Sequence, residues 1–233
     1  MANFEPDPFR VDVSPSEQVT ALVYAAAAET DAGLALILAH GAGASQKSTF
    51  MVHVARALAA RGIETITFNF AYTEAGRRLP DRNDKLEACW RRIIEACRSG
   101  EIGGAGRRSR LAIGGKSMGG RIASQVAALD SGGIAGLVFL GYPLHPPGQP
   151  EKLRSKHLVD IRAPMLFVQG SRDAFGTPDE LAPILETLKA PARLCVVEGG
   201  DHSFKVAKRA GVFQEGVYDF ILGEIERWLR GLP

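Results

Sequence analysis

A chain of 233 residues, 45% of them hydrophobic and 23% charged, has the make-up of an ordinary globular protein with a sizeable core. Its 28 basic and 26 acidic residues leave a net charge of +2, which gives no general attraction to nucleic acid or to a membrane surface. Three cysteines, Cys89, Cys97 and Cys195, without C-x-x-C spacing, argue against a zinc site or a disulfide framework and fit a reducing cytoplasm.

Segment 1–10 is polar, acidic and proline-containing, unlike a secretory signal. The longest apolar runs are strand-sized, far short of a membrane span. The first strand is expected over 19–28, decaying into a turn at Glu29-Thr30-Asp31. Residues 34–39 are apolar without interruption, the pattern of a strand covered on both faces. It runs into His40-Gly41-Ala42-Gly43. Ser48 is placed to cap a helix through Arg61, with Phe50, Met51, Val54 and Leu58 at helical spacing. Gly62 stops it, and a strand follows over 63–70. A long loop is expected over 69–84 and a helix over 85–98, with Leu86, Trp90, Ile93 or Ile94 and Cys97 on its apolar face. Residues 100–110 form a glycine- and arginine-rich connector.

A short apolar run, 111–115, then leads to Gly115-Lys116-Ser117-Met118-Gly119, and a helical segment over 118–128 leaves it. This is G-x-S-x-G in a strand–turn–helix setting, the nucleophile elbow. Small residues on either side of the serine allow a sharp turn that lifts its hydroxyl clear of the sheet. Further strands are expected over 134–140, 165–169 and 194–197, and helices over 178–188 and 212–229. Strands alternating with helices predict one α/β domain spanning 1–233, built on a mainly parallel sheet flanked by helices on both faces. Such sheets bind ligands at the carboxyl ends of their strands.

Asp173 follows one strand and His202 another, so the chain order is Ser117, Asp173, His202. Serine needs an adjacent base to act as a nucleophile. His202 is expected to take its proton, with Asp173 holding the imidazole tautomer. Asp201 is the rival acid, but sequence neighbours rarely reach one another's ring nitrogens, so turn stabilisation is its expected role. Amides of Ala42 and Met118 are expected to form the oxyanion hole, with His40 supporting the loop. Only 141–163 separates two strands, too little for a sizeable lid. Phe50, Met51, Phe70, Tyr72 and Leu144 are expected to flank an open site, with His145 as a further pocket residue. His53 and His157 are read as surface or packing residues.

On His40-Gly41-Ala42-Gly43, Gly114 to Arg121, Gly141-Tyr142-Pro143-Leu144-His145-Pro146, Phe167 to Asp173 and Gly200-Asp201-His202-Ser203, the sequence resembles a small α/β-hydrolase of the dienelactone-hydrolase-like group. The resemblance is nearest to bacterial hydrolases related to testis-expressed hydrolase-like proteins and an animal chromatin-complex subunit. It implies the α/β-hydrolase fold and maps nucleophile, acid and base onto Ser117, Asp173 and His202. Dienelactone hydrolases proper use cysteine where this chain has Ser117, which departs from a dienelactone assignment.

The reading is a serine hydrolase, of carboxylesterase or thioesterase kind, acting on a small-molecule acyl substrate through an acyl-enzyme. No cofactor, metal, nucleic acid or membrane is expected, and oligomeric state leaves no mark on the sequence. Two alternatives stand beside it: an interaction module with an idle triad, and an acyltransferase using the same residues. Gly115-Lys116-Ser117 also ends a Walker A pattern, but a strand lies where the phosphate loop belongs. A dinucleotide fingerprint at Gly41-Ala42-Gly43 fails at Gln46. Arg107-Arg108-Ser109-Arg110 lacks the aromatic residues of an RNA contact.

Overall fold

Alternation within the apolar run at residues 34–39 shows how the centre of the molecule is built. In a computed structural model describing residues 5–102, 108–207 and 213–233, this run is a strand whose six side chains are all fully buried. Leu34, Leu36 and Leu38 face one hydrophobic cluster, while Ala35, Ile37 and Ala39 face the other. A strand buried on both sides needs no polar alternation. Each buried leucine contributes about 1.5–3 kcal/mol by leaving water.

Among the described residues eight strands form one sheet: β1 (Asp7–Ser14), β2 (Glu17–Tyr24), β3 (Leu34–Ala39), β4 (Glu64–Phe68), β5 (Arg110–Lys116), β6 (Gly136–Leu140), β7 (Met165–Gly170) and β8 (Ala192–Val197). Their spatial order is β1-β2-β4-β3-β5-β6-β7-β8. β2 pairs antiparallel with β1 and β4, and every later pairing is parallel. Among the described residues six α-helices accompany the sheet: α1 (Thr49–Ala60), α2 (Ala71–Glu74), α3 (Asn83–Ser99), α4 (Met118–Leu129), α5 (Pro178–Leu185) and α6 (Gln214–Arg230). Side chains of α1 and α6 cover one face, and those of α3, α4 and α5 the other. This is the α/β-hydrolase architecture.

Two elements escaped the sequence reading. β1 lies at the sheet edge, where Pro8 is tolerated, and its exposed Asp7, Arg10 and Asp12 mask the alternation of Phe9, Val11 and Val13. α2 is a single turn inside the loop expected over 69–84, too short to show helical periodicity. Ser48 takes the N-cap conformation of α1, but its side chain makes no capping bond. α5 begins with a full capping box, in which Thr177 and Glu180 bond each other's backbone amides. Between β6 and β7 the helical content is one 3-10 turn, Leu158–Asp160, so among the described residues no sizeable lid covers the sheet. Part of the connector expected over 100–110 lies outside the described residues, including Arg107 of its basic run. The same holds for the start of segment 1–10 and for Val212, the first residue of the expected closing helix. Among the described residues, no helix is long and apolar enough to cross a membrane.

Candidate active site

Parallel pairing of β3, β5, β7 and β8 brings four carboxyl ends to one edge of the sheet, and each bears a residue singled out above. Ser117 sits between β5 and α4 with φ 50° and ψ −115°, a conformation that costs a non-glycine residue about 1–3 kcal/mol. Its neighbours explain the surrounding glycines. A Cβ on Gly115 would lie 2.4 Å from the Ala39 carbonyl oxygen, and one on Gly119 2.3 Å from the same atom. Both flanking positions of the elbow are therefore pressed onto the end of β3, and no larger residue fits.

His202 Nε2 lies 2.8 Å from Ser117 Oγ. On the other side of the ring, Nδ1 lies 2.8 Å from Asp173 Oδ2 and 2.9 Å from Oδ1. An ionised carboxylate only accepts, so Nδ1 carries the ring proton and Nε2 is left to accept from the serine hydroxyl. Asp173 is 1% exposed and fully engaged. Gln169 Nε2 donates to Oδ2 at 2.9 Å, and the Phe175 amide donates to Oδ1 at 2.8 Å. Gln169 is itself fixed, accepting from the Tyr142 amide and donating to the Gly176 carbonyl. Asp201 lies outside this chain of bonds. Its Oδ1 accepts from the Ser203 and Lys205 amides at 2.8 and 2.9 Å, so it folds the turn that carries His202.

The His40–Gly43 turn passes beside Ser117, with Gly41 facing the serine Cβ. Met118 begins α4, where helix amides have no partner within the helix. His40 is fully buried, and burial pushes its pKa down to about 4. It therefore stays neutral, its Nδ1 donating to the Gly41 carbonyl at 2.8 Å while Nε2 faces the Phe70 amide and the Thr73 hydroxyl. A cleft of about 580 Å³ opens over these groups. Gly41, Ala42, Phe50, Met51, Ser117 and His202 are among its lining.

A family model described as an alpha/beta hydrolase domain matches residues 32–230. The chain belongs to the α/β-hydrolase family. Similar solved structures include an α/β serine hydrolase homologue from Coxiella burnetii, 18% identical with a TM-score of 0.71, covering 99% of this chain and 97% of that one. An α/β serine hydrolase without lid from Xanthomonas campestris is 21% identical with a TM-score of 0.71, covering 98% and 97%. A dienelactone hydrolase from Anabaena variabilis is 20% identical with a TM-score of 0.71, covering 98% and 99%. At these identities the likeness speaks for the fold, that of the dienelactone-hydrolase-like small α/β-hydrolases.

Within this α/β-hydrolase, four expected pocket residues, Phe70, Tyr72, Leu144 and His145, lie away from the cleft. Tyr72 is fully buried, stacked on Phe70 with His40 edge-on, so this aromatic group backs the His40 turn from beneath. Leu144 is fully buried against Gly176, and His145 is 4% exposed. The His145 amide donates to the Phe175 carbonyl, and its ring bonds the Pro146 carbonyl and Glu180. Both residues brace the far side of the Asp173 loop, because the chain leaving β6 turns under that loop and not over the serine. Among residues not anticipated, Phe175 packs against the His202 ring with centroids 4.1 Å apart and the planes tilted by 30°, and Tyr218, Lys205 and Lys116 line the cleft. Phe175 had a signal in the sequence: two residues past an Asx-type turn former, its amide is drawn to Asp173 and its ring follows.

Proposed function

We propose that this α/β-hydrolase is a serine hydrolase that cleaves ester, thioester or related carbonyl substrates through an acyl-enzyme. The observation that carries the reading is the continuous relay from Ser117 Oγ through His202 to Asp173, at 2.8 Å on each side of the ring. His202 Nε2 takes the hydroxyl proton as Ser117 Oγ attacks the carbonyl carbon. The charge that develops on the substrate oxygen is met by the amides of Ala42 and Met118. Collapse of the tetrahedral species expels the alcohol or thiol, which takes the proton from His202. A water, deprotonated by the same nitrogen, then attacks the acyl-enzyme, and its proton returns to Ser117 as the acid leaves.

The open cleft, with Phe50 and Met51 on its wall and no lid across it among the described residues, suits a small or protruding acyl ester better than a long enclosed chain. The continuous sheet supports a single domain over 1–233, and three buried, unpaired thiols support a cytoplasmic setting. The test is fluorophosphonate labelling of the purified protein, with Ser117→Ala as control and the adduct located by peptide mass. Labelling confined to Ser117 is expected. A folded protein that resists the probe would instead favour an interaction module with an idle triad.

A further inference from the structure

Lys116 occupies the variable position before Ser117, and the acyl-transfer scheme gives it no task. Its Nζ donates to the main-chain carbonyl of His202 at 2.6 Å and lies 5.3 Å from the centre of the Phe204 ring. A Cβ on Gly141 would come within 2.9 Å of Nζ and 3.4 Å of His202 Nδ1, so the two nitrogens share the space beside one glycine. The turn that carries His202 is mostly tied to itself. Asp201 holds the Ser203 and Lys205 amides, the Asp201 carbonyl accepts from the Phe204 amide at 2.8 Å, and Phe204 is strained at φ 59°. Outside bonds come from the Arg172 amide to the Gly200 carbonyl and from Gln214 to the Phe204 carbonyl. Among the described residues, only the Lys116 bond joins the main chain of the base directly to the strand that carries the nucleophile.

We propose that Lys116 is a positioning residue, a strut from the elbow strand to the His202 carbonyl that sets how the imidazole meets Ser117. This rests on the reading of Ser117 and His202 given above. The bond runs from an ammonium to an amide oxygen, and such charge-assisted bonds are roughly twice as strong as neutral ones. Burial lowers the Lys116 pKa to about 8, while Asp173 at the end of β7 and Asp201 in the turn after β8 pull it back up. His202 faces it from the same turn. The ammonium is therefore lost as pH rises through about 8, and the strut slackens with it.

The experiment is steady-state hydrolysis of p-nitrophenyl acetate by wild type and Lys116→Met, alongside fluorophosphonate labelling of Ser117. Lys116→Met keeps the apolar stem and removes the donor. It should lower kcat about 10- to 100-fold, the scale of a small misplacement of a catalytic group, with KM within about twofold. Its thermal midpoint should match or exceed that of wild type, because a desolvated charge disappears with the bond. In wild type, kcat should decline as pH passes about 8. If Lys116→Met labels and turns over as fast as wild type, the positioning role is wrong and the triad stands. A level wild-type kcat between about pH 7 and about pH 9.5 also overturns it, and that measurement needs no folded variant. Wild type that neither labels nor turns over removes both the triad reading and the strut.

Discussion

Helix α4 carries two serine–histidine pairs, one before its first turn and one in its middle, and their distances are nearly the same. Ser117 Oγ lies 2.8 Å from His202 Nε2, and Ser124 Oγ lies 2.7 Å from His157 Nε2. Their surroundings are opposite. Ser117 stands at a strained turn facing a cleft, and its histidine is bonded on the far side by a buried carboxylate. Ser124 is fully buried inside α4, and its hydroxyl donates to the Arg121 carbonyl one turn back. Burial, with Arg121 adding to it, pushes the His157 pKa down to about 4, and among the described residues no carboxylate bonds its ring. The Tyr142 hydroxyl lies 3.5 Å from the same nitrogen and donates to the Arg154 carbonyl. A short serine–histidine distance is thus not enough for chemistry. On the proposed reading, access, an oriented tautomer and donors aimed at the developing charge set Ser117 apart from the packing contact of Ser124.

Removing each hydroxyl in turn tests the two pairs against each other. Ser117→Ala should lower kcat/KM by about 10⁴ or more with the fold intact. Ser124→Ala should leave kcat/KM within about twofold and cost about 1–2 kcal/mol in a denaturant titration. The reverse pattern would exchange their roles. Next comes the acid. Asp173→Asn should lower kcat by about 10³–10⁴, because an amide facing Nδ1 favours the wrong tautomer. Asp201→Asn keeps an oxygen for the Ser203 and Lys205 amides and should cost less than about tenfold. Equal losses from the two would reassign the carboxylate.

A further effect concerns the two histidines expected to be structural. His40 and His157 both have folded pKa values near 4, below the ordinary histidine value of 6.5. Between these limits the unfolded chain binds more protons than the folded one, so stability is complete above about pH 6.5 and declines toward pH 4. For the fully buried His40, this amounts to roughly 3 kcal/mol. Thermal midpoints from pH 7 to pH 4 should fall steadily, and His157→Gln should fall less steeply than wild type. Parallel curves would mean that His157 does not titrate with unfolding.

Much of this architecture was legible because burial on two faces leaves uninterrupted apolar runs, and 34–39 was placed to the residue. Ser117, Asp173 and His202 were legible as a set because each follows a strand and parallel strands share one end. Side-chain direction was not. Leu144, His145 and Tyr72 also follow strands, yet whether a loop turns over the cleft or beneath it depends on packing against Gly176 and His40, far away in sequence. Lys116 was hidden for a related reason. A lysine in a glycine-rich turn reads as solvated, and its partner is a main-chain oxygen 86 residues away, which no motif marks.

The carbonyl of Ala39 has one more consequence. Gly115 and Gly119 both rest against it, and the next four residues form the turn beside Ser117. One peptide unit is thus the common datum for Ser117 and for the neighbouring amides. Vibration or expansion that displaces the end of β3 carries both along, and their spacing changes little while the rest of the protein breathes. Catalytic register should therefore survive warming until the sheet itself gives way, with heat inactivation coinciding with global unfolding.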